Sequence, residues 1–384
     1  MLAGVNVALG VTGSIAAVKV VELAHELRRR GASVRAVMSD SARGIVHPWA
    51  VEFATDEPVV TEITGQVEHV ELCGRDGWAD VLLLAPATAN TVGKIAGAID
   101  DTPVTTCATT AVGAGVPVVV APAMHEPMYD HPGVLDAIER VESWGVEFVA
   151  PRIEEGKAKI ATEDAIALAV ARATGPTPLD GIRVVVTSGA TSEPVDPVRV
   201  LTNRASGKTG RAVARACYTL GADVTLVHDS EDVPYADVSR VETAAEMLEE
   251  VRNGVSEGAD AFVSAAAISD YTVEAADEKI RSGQDLSLDL SPTPKLIDEI
   301  RAESDLPIVG FKAETSGDDE AMVEQARETL RRADLSFVVA NDASVMGDDR
   351  TRTLFVREHS VREYAGTKAE LGRKVAEELA EELR

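Results

Sequence analysis

The sequence predicts an α/β protein with two tandem domains, each built on a parallel β-sheet. Two observations predict this architecture: short valine-rich runs alternate with amphipathic helical patterns along the chain, and one proline-rich break divides the alternation. The length agrees with two domains, because 384 residues exceed what a single hydrophobic core usually organises. A composition of 45% hydrophobic but only 4% aromatic residues also suits buried parallel strands packed between helices.

The first half contains five apolar runs that are short enough to be buried strands. Helical patterns separate them, and the first helix is predicted over residues 16–30, ending at Gly31, because glycine commonly follows the last turn of a helix. Strands joined through helices pair in parallel, so these runs predict a Rossmann-like domain. The five predicted strands are residues 5–10, 33–38, 80–85, 116–121 and 146–149.

The segment 173–178 is the predicted linker, because two prolines and a glycine interrupt the patterns on either side of it. We therefore expect domains at residues 1–175 and 176–384. After the linker the alternation begins again and predicts a second Rossmann-like domain. Its predicted strands are residues 182–187, 223–228, 260–266, 307–312 and 336–340.

The chain is strongly acidic, with 64 Asp and Glu against 37 Lys and Arg and a formal net charge of −27. Binding to nucleic acid or to an anionic membrane needs clustered cations, so this balance argues against both partners. The acidic residues are spread along the chain and would repel one another in dilute buffer. At molar salt the Debye length falls to about 3 Å and screens this repulsion, so we expect a protein adapted to high salt.

The cysteines and the chain start indicate the compartment. Cys73, Cys107 and Cys217 are too few and too scattered for a disulfide framework or a zinc site, which indicates a reducing environment. The apolar start, MLAGVNVALGV, lacks a basic leader and runs directly into a turn, so it predicts a first strand and not a signal peptide. No apolar run is long enough to cross a bilayer, and we expect a cytoplasmic protein.

The first predicted strand ends in a turn, Gly13-Ser14-Ile15, that opens a helix. The turn lacks the third glycine of the dinucleotide-binding fingerprint, so it does not predict that kind of nucleotide site. Free backbone N–H groups at the start of a helix can still hold one phosphate. A tight turn between a strand and a helix, without any ligand, explains the same residues.

Two further segments lie where α/β proteins bind ligands. The run ADVLLLAPATANT ends at the carboxyl end of one predicted strand, and VPVVVAPAMHEPM follows the next. Together with the glycine turn and the segment EHVEL around His69, they resemble the flavin-containing cysteine decarboxylases. The resemblance implies a flavodoxin-like domain whose FMN site is lined by Gly13, Ser14, Ile15, Ser39, Pro86, Thr88, Asn90 and Thr91.

By the same resemblance, His69 is the general base of a decarboxylation, and imidazole groups transfer protons well near neutral pH. A lone histidine before a strand is otherwise more often structural. The implied chemistry is redox-neutral: FMN accepts a hydride from the carbon that bears sulfur, carbon dioxide leaves, and the hydride is returned.

Two positions depart from the pattern of this family. His125 follows Met124 where most members carry asparagine, so an imidazole would hold the substrate carboxylate next to Met124. Lys159 stands where the flap of these enzymes carries a cysteine that protonates the substrate carbon. Burial under a closed flap would lower the pKa of Lys159 and make it a better acid, whereas a solvated loop lysine is the alternative.

The most specific motif follows the linker, in GATSEPVDPVRVLTNRASGKTG. Its GKT ending does not make a Walker A loop, because that motif needs a glycine where Thr202 stands. The stretch instead resembles the phosphopantothenate–cysteine ligases, whose pattern is T-x-G-x-T-x-E-x-x-D-P-V-R followed by N-x-x-S-G-K. The later segments AAAISDY, EKI, GFKAET and ANDAS match the same family in the same order.

This second resemblance implies a ligation in two steps. The carboxylate of phosphopantothenate attacks the α-phosphate of CTP, which carries Mg²⁺ or Mn²⁺, and forms an acyl cytidylate and pyrophosphate; the cysteine amine then displaces CMP. Lys279 would stabilise charge on the phosphates, and Asn203 would bind the activated acyl group. The implied substrate-binding residues are Ser206, Gly207 and Lys208, and the CTP-binding residues are Gly189, Ala265, Asp270, Lys279, Phe311, Asn341 and Asp342.

Taken together, the two resemblances cover nearly the whole chain and predict a bifunctional enzyme of coenzyme A biosynthesis. A flavin-binding regulatory protein without catalysis is one alternative, which His69 and the complete ligase motif argue against. A flavin-dependent oxidoreductase that binds NADP in its second domain is another, but no GxGxxG opens that domain. The families also imply a homo-oligomer, with trimeric contacts between decarboxylase domains and dimeric contacts between ligase domains.

Overall fold

The computed structural model describes residues 1–281, 283, 285–314, 319–342 and 350–384. The chain divides into two compact units, Met1–Gly175 and Pro176–Arg384. Each of the ten strands predicted from the sequence is present, and its ends lie within two residues of the predicted ones. The predicted α/β class, with two parallel-sheet units in tandem, is confirmed.

The first unit contains a five-stranded parallel sheet in the order β2-β1-β3-β4-β6, which is the flavodoxin order. A separate three-stranded sheet has the order β5-β8-β7. The strands are β1 (Asn6–Val11), β2 (Ser33–Met38), β3 (Val81–Ala87), β4 (Val118–Pro122), β5 (Met124–His125), β6 (Glu147–Phe148), β7 (Arg152–Glu154) and β8 (Lys157–Lys159). The helices are α1 (Val20–Arg29), α2 (Asp40–Arg43), α3 (Pro48–Thr55), α4 (Glu68–Cys73), α5 (Ala89–Ala96), α6 (Pro103–Ala114), α7 (Glu126–Tyr129), α8 (Pro132–Glu142) and α9 (Glu163–Thr174).

The helix predicted over residues 16–30 is divided in the structure. A 3₁₀ turn covers Ile15–Lys19, and the backbone N–H of Ala17 bonds to the carbonyl of Ser14, three residues back. Helix α1 follows and ends before Gly31, whose φ of +102° is left-handed. A Cβ at this position would lie 2.9 Å from the Cα of Ala3, so only glycine fits.

Strand β3 lies at the centre of the first sheet and is buried along its whole length. Val81 and Leu83 pack into the apolar layer that contains α1 and α9, whereas Leu82 and Leu84 pack into the layer that contains α5 and α6. This alternation follows from the two-residue period of a strand. Helices therefore cover both faces, and the carboxyl edge of the sheet is left for a site.

The second unit contains an eight-stranded sheet in the order β13-β12-β9-β14-β17-β18-β19-β20. Its first six strands are parallel and follow the Rossmann order, and the last two form an antiparallel hairpin that the sequence did not predict. The strands are β9 (Arg183–Thr187), β10 (Ser192–Pro194), β11 (Val200–Thr202), β12 (Asp223–His228), β13 (Asp237–Arg240), β14 (Ala261–Ser264), β15 (Tyr271–Val273), β16 (Leu290–Pro292), β17 (Ile308–Glu314), β18 (Phe337–Asp342), β19 (Arg350–Val356) and β20 (Val361–Thr367). The helices are α10 (Lys208–Thr219), α11 (Ala244–Ser256), α12 (Leu296–Glu303), α13 (Asp319–Arg332) and α14 (Lys368–Glu382).

The three cysteines are buried free thiols. A hydrogen bond with Cys73, together with burial, raises the pKa of Cys107, and burial raises the pKa of Cys217 to about 12. The thiolates of Cys107 and Cys217 are therefore disfavoured near neutral pH, as for unreactive structural cysteines. Among the described helices, none combines the length and the apolar character that crossing a membrane would require.

Candidate functional sites at two sheet edges

The loops that follow β1 and β3 meet at the carboxyl edge of the first sheet, where the strand order reverses. The backbone N–H and the hydroxyl of Thr12 both donate to the carbonyl oxygen of Pro86, at 3.2 and 2.8 Å. The N–H of Thr88 in turn donates to the Thr12 hydroxyl at 3.2 Å. This switch point is where α/β sheets of this kind bind ligands.

The glycine turn after β1 is held tightly against helix α2, which follows β2. A Cβ at Gly13 would lie 2.5 Å from the Cβ of Ser41, so a larger residue would displace either the turn or helix α2. The hydroxyl of Ser39 lies 3.1 Å from that of Ser41 and accepts from the N–H of Ala42. The N–H groups of Ser14 and Ala16 already donate, to the carbonyl of Thr12 at 2.9 Å and to the Ser14 hydroxyl at 3.4 Å. Within the described residues this leaves the N–H groups of Gly13 and Ile15 in the fixed turn for binding an anion.

A cavity of about 570 Å³ lies at this edge, within the range of about 300–1,000 Å³ typical of cofactor sites. Its lining is mainly apolar, with methionine, isoleucine, valine and alanine side chains. The lining includes seven of the residues predicted from the sequence: Gly13, Ser14, Ile15, Thr88, Met124, His125 and Lys159. The predicted residues Ser39, His69, Pro86, Asn90 and Thr91 do not line it, and Lys19, Arg152 and Lys157, which the sequence reasoning missed, do.

The strands β7 and β8, which contain Lys159 and form the flap, make one small sheet with β5 in the segment PAMHEPM. In this sheet Met124 lies opposite Ala158, and His125 lies opposite Lys157. On the other side of β8, Arg152 lies opposite Lys159. The flap therefore forms one wall of the cavity together with the two residues predicted to hold the substrate.

Among the residues that line this cavity, Lys159 differs most from its prediction, in its ion pairs and in the direction in which its pKa is shifted. Its ammonium group pairs with the carboxylates of Glu155 at 2.9 Å and Glu154 at 3.0 Å. Their hydrogen bonds raise the pKa of Lys159, whereas burial under a flap was predicted to lower it. In this arrangement Lys159 holds its proton more tightly than a free lysine does.

His69 lies in the first turn of α4. Its Nδ1 atom is buried and has no hydrogen-bond partner within the described parts of the chain. Buried polar atoms without partners are rare and call for an explanation, such as a ligand or a catalytic role. Since His69 does not line the cavity of its own chain, a single copy does not bring it together with the other predicted decarboxylase residues.

The second unit has its own switch point, between β9 and β14. The hydroxyl of Thr187, the last residue of β9, accepts hydrogen bonds from the backbone N–H groups of Ala265 and Ala266 at 3.2 and 3.3 Å. The N–H of Ala267 donates to the carbonyl of Gly189 at 2.9 Å. The two loops are thus joined at the edge where a Rossmann-type sheet binds its ligand.

Two glycines in left-handed conformations shape this edge. Gly189 has φ +84° and Gly207 has φ +68°. A Cβ would lie 2.7 Å from the carboxylate of Asp229 at the first position and 2.5 Å from the guanidinium of Arg211 at the second. Gly207 also precedes α10, so it leaves the backbone N–H groups at the start of this helix without a side-chain cap. Such a start is suited to binding phosphate.

A cavity of about 600 Å³ opens at this second edge. The predicted residues that line it are Gly189, Ser206, Gly207, Lys208, Ala265, Asp270, Phe311 and Asn341. Asn203 and Lys279 do not line it, and Asp342 ends β18. The motif residues Thr315, Ala343 and Ser344 lie outside the described residues. The residues of the lining that the sequence reasoning missed include Lys295, Arg332, Thr351, Thr353 and Lys368.

Lys295 is the missed residue closest to the predicted chemistry. Its ammonium group pairs with the carboxylate of Asp270, and both side chains are largely exposed at the cavity. The only signal in the sequence was its place after the proline pair in SPTPK, which is too weak to distinguish it from a surface lysine.

Lys279 is exposed, but the backbone next to it is fixed by the DPVR motif. The carboxylate of Asp196 accepts hydrogen bonds from the N–H groups of Val198 and Arg199, both at 2.8 Å, and of Ile280 at 3.0 Å. Burial opposes ionisation of Asp196, but these bonds and the Arg199 guanidinium outweigh it and lower its pKa to about 2. Asp196 is therefore ionised at any physiological pH and holds the Lys279 segment in place.

The side-chain amide of Asn203 donates a hydrogen bond to the carbonyl of Ala267 at 3.1 Å. Because Ala267 lines the cavity, Asn203 lies next to it even though its own side chain is not part of the lining. Among the described residues we find no group of three or more His, Cys, Asp or Glu side chains that could hold a metal ion.

Comparisons with known proteins match a separate family model to each of the two units. Residues 1–175 match the family model described as Flavoprotein, and residues 179–383 match the DNA/pantothenate metabolism flavoprotein C-terminal domain. The chain is 47% identical to the coenzyme A biosynthesis bifunctional protein CoaBC of Thermococcus kodakarensis, over 100% of this chain and 96% of the relative. The proteins of the same name from Methanocaldococcus jannaschii and Bacillus subtilis are 34% and 33% identical, over 99% and 94% of this chain and 94% and 93% of their own lengths.

Proposed function

The chain belongs to the family of coenzyme A biosynthesis bifunctional proteins, and on this premise we propose which unit and which residues carry each of its two activities. The enzyme is a phosphopantothenate–cysteine ligase and a phosphopantothenoylcysteine decarboxylase. We assign the decarboxylase, with FMN, to residues 1–175 and the ligase, with CTP, to residues 176–384. The supporting observation is that each unit has a cavity at its switch point, lined by several residues from the motifs of the matching activity.

The residues of the first cavity fit FMN. The fixed glycine turn offers backbone N–H groups to the phosphate, and the apolar lining suits a flat aromatic ring. Ser39, Pro86, Asn90 and Thr91 lie at the same edge, in or next to the ends of β2 and β3, and would complete the binding site. When bound, FMN supplies a two-electron acceptor for the carbon that bears the cysteine sulfur, which makes loss of carbon dioxide possible.

The other residues of this cavity suit the substrate. An N–H of the His125 imidazole can donate to the substrate carboxylate, and Met124 packs beside it on the same strand. Lys19, Arg152 and Lys157 add positive charge to the lining, which favours a substrate that carries both a carboxylate and a phosphate.

A second copy of the chain would complete this site. Ile15, Val18 and Met128 line the cavity but are 77%, 58% and 47% exposed, which is unusual for apolar side chains around a cofactor. A neighbouring copy would cover them and supply His69, which does not line the cavity of its own chain. Trimeric contacts between first units meet this need, and dimeric contacts between second units complete the expected homo-oligomer.

We expect the purified protein to be yellow and to release FMN on denaturation. Residues 1–175 expressed alone should retain the colour, because every proposed FMN contact lies in that unit. The measurement is the absorption spectrum of the released flavin and its mass, after purification in molar salt to screen the net charge of −27. A colourless protein that also fails to take up added FMN contradicts the cofactor assignment.

Substitution of Lys159 tests the proposed catalytic role of the flap. We propose that its ammonium group protonates the substrate carbon after carbon dioxide has left, once substrate binding has displaced Glu154 and Glu155. The Lys159→Gln variant should then release carbon dioxide once per flavin and stall with the flavin absorbance bleached. An anaerobic single-turnover experiment follows both signals, with Lys94→Gln, which changes a carboxylate-paired lysine of the same unit outside the cavity lining, as the matched control. If the variant recovers its absorbance and forms phosphopantetheine at the wild-type rate, Lys159 is a loop lysine.

In the second unit, Gly189 and Gly207 form what we call the glycine cradle. CTP would bind with its phosphates at this cradle and at the start of α10. Mg²⁺ or Mn²⁺ would be held mainly by those phosphates, as hydrated magnesium often is. Ser206, Gly207 and Lys208 would position phosphopantothenate. Ala265, Asp270, Phe311, Asn341 and Asp342 would surround the nucleotide.

The proposed ligation has two steps, and in each step one bond forms as one leaving group departs. A carboxylate oxygen of phosphopantothenate forms a bond to the α-phosphorus, and pyrophosphate leaves. Lys279 would stabilise the charge that builds on the phosphates. Asn203 would bind the acyl group, which the cysteine nitrogen then attacks as CMP leaves and the nitrogen loses a proton.

A further inference from the structure

Three polar side chains share one face at the far end of the second sheet. In the β18–β19 ladder Thr353 lies directly opposite Asn341, and Thr351 lies two residues before Thr353 on the same strand. Directly opposed residues and residues two apart on a strand point to the same face. All three line the cavity of about 600 Å³ at the switch point.

The hydroxyl of Thr353 is the unusual feature of this face. The residue is 2% exposed, and its Oγ1 has no hydrogen-bond partner within the described residues. Thr351 is 7% exposed. A buried hydroxyl without a partner is unfavourable, so few persist in folded proteins unless a ligand or a water molecule satisfies them. A ligand with polar atoms in the cavity would remove this cost.

The face formed by Asn341, Thr351 and Thr353 is one wall of the cavity, and its chemistry differs from that of the glycine cradle. The cradle presents backbone N–H groups and the start of α10, which favour phosphate. Two hydroxyls and a carboxamide are uncharged and can both donate and accept, which suits the hydroxyls of a sugar or the polar edge of a base. Neither threonine belongs to a motif that the sequence reasoning used.

We propose that Thr351 and Thr353, together with Asn341, bind the nucleoside part of the nucleotide in the ligase cavity. This inference rests on the proposed use of a nucleoside triphosphate by the second unit. It assigns a part of the binding site whose two threonines lie outside the sequence motifs. The phosphates then lie at the cradle, and the antiparallel hairpin β19–β20 has a direct role in nucleotide binding.

The test compares two double variants of the full-length chain by titration calorimetry in molar salt. Thr351→Val/Thr353→Val keeps the shape of both side chains but removes both hydroxyls, and it should weaken CTP binding about tenfold or more. Thr351→Ser/Thr353→Ser keeps both hydroxyls and should bind CTP within about threefold of the wild type. Inorganic tripolyphosphate, which has no nucleoside, should bind equally well to all three proteins.

Two results would overturn the proposal. One is wild-type CTP affinity in the valine variant, and the other is an equal loss of CTP and tripolyphosphate affinity, which would mean that the wall holds phosphate or that the cavity is disrupted. Thr225→Val on β12, outside the cavity lining, controls for the effect of valine in a strand. If the wild type binds ATP but not CTP, the CTP assignment fails separately, and the same comparison with ATP still tests the wall.

Discussion

Replacement of His69 by asparagine should abolish decarboxylation while ligation continues, so that phosphopantothenoylcysteine accumulates. Asparagine retains a polar group near the position of Nδ1 but cannot transfer a proton as imidazole does. Loss of a general acid or base typically lowers a rate by about 10²–10⁴-fold. The measurement is the time course of phosphopantothenoylcysteine and phosphopantetheine by mass spectrometry, with phosphopantothenate, cysteine and CTP supplied.

The matched control is His359→Asn, which changes an exposed histidine of the second unit. It should leave both products at wild-type rates. Retained flavin in His69→Asn would show that its first unit is folded. Persistent decarboxylation in this variant, or loss of ligation as well, would contradict the role of His69 and the separation of the two activities.

Replacement of Lys279 by glutamine should have the converse effect. The variant should form no phosphopantothenoylcysteine and release no pyrophosphate, yet it should decarboxylate phosphopantothenoylcysteine that is supplied. Loss of one group that stabilises transition-state charge costs about 10²–10³-fold in rate. The measurement is pyrophosphate release together with product masses.

Lys295→Gln provides the comparison that decides between two cations. Lys295 lines the cavity and pairs with Asp270, whereas Lys279 lies next to the backbone that Asp196 fixes. If Lys279→Gln ligates normally while Lys295→Gln does not, the catalytic cation is Lys295. We expect the larger loss in Lys279→Gln.

The strands could be predicted because their signals are local. A buried strand such as β3 appears in the sequence as a run of consecutive apolar residues, VLLLAPA, and this run identifies it without knowledge of its partners. The order of the strands, the antiparallel hairpin β19–β20 and the flap sheet depend on pairing between distant segments. A three-residue strand such as β8, Lys157–Lys159, has too few residues to show a period.

The same distinction applies to the sites. Gly189 and Gly207 could be selected from the sequence because glycines recur at fixed places in a motif, and the structure gives both left-handed conformations. The pairing of Lys159 with Glu154 and Glu155 depends on where a hairpin turns, so its raised pKa could not be predicted. Thr353 became visible only when its strand pairing and the lack of a partner for its hydroxyl were known.

The central claim, that this one chain carries both the ligase and the decarboxylase activity, is tested most directly by one incubation. The full-length protein, in molar salt with Mg²⁺, receives phosphopantothenate, cysteine and CTP, and the products are identified by mass. We predict CMP and pyrophosphate in equal amounts, phosphopantothenoylcysteine as an intermediate, and phosphopantetheine with carbon dioxide as the end products. A protein that binds flavin but leaves all three compounds unchanged would contradict this assignment and would instead support a flavin-binding regulatory protein.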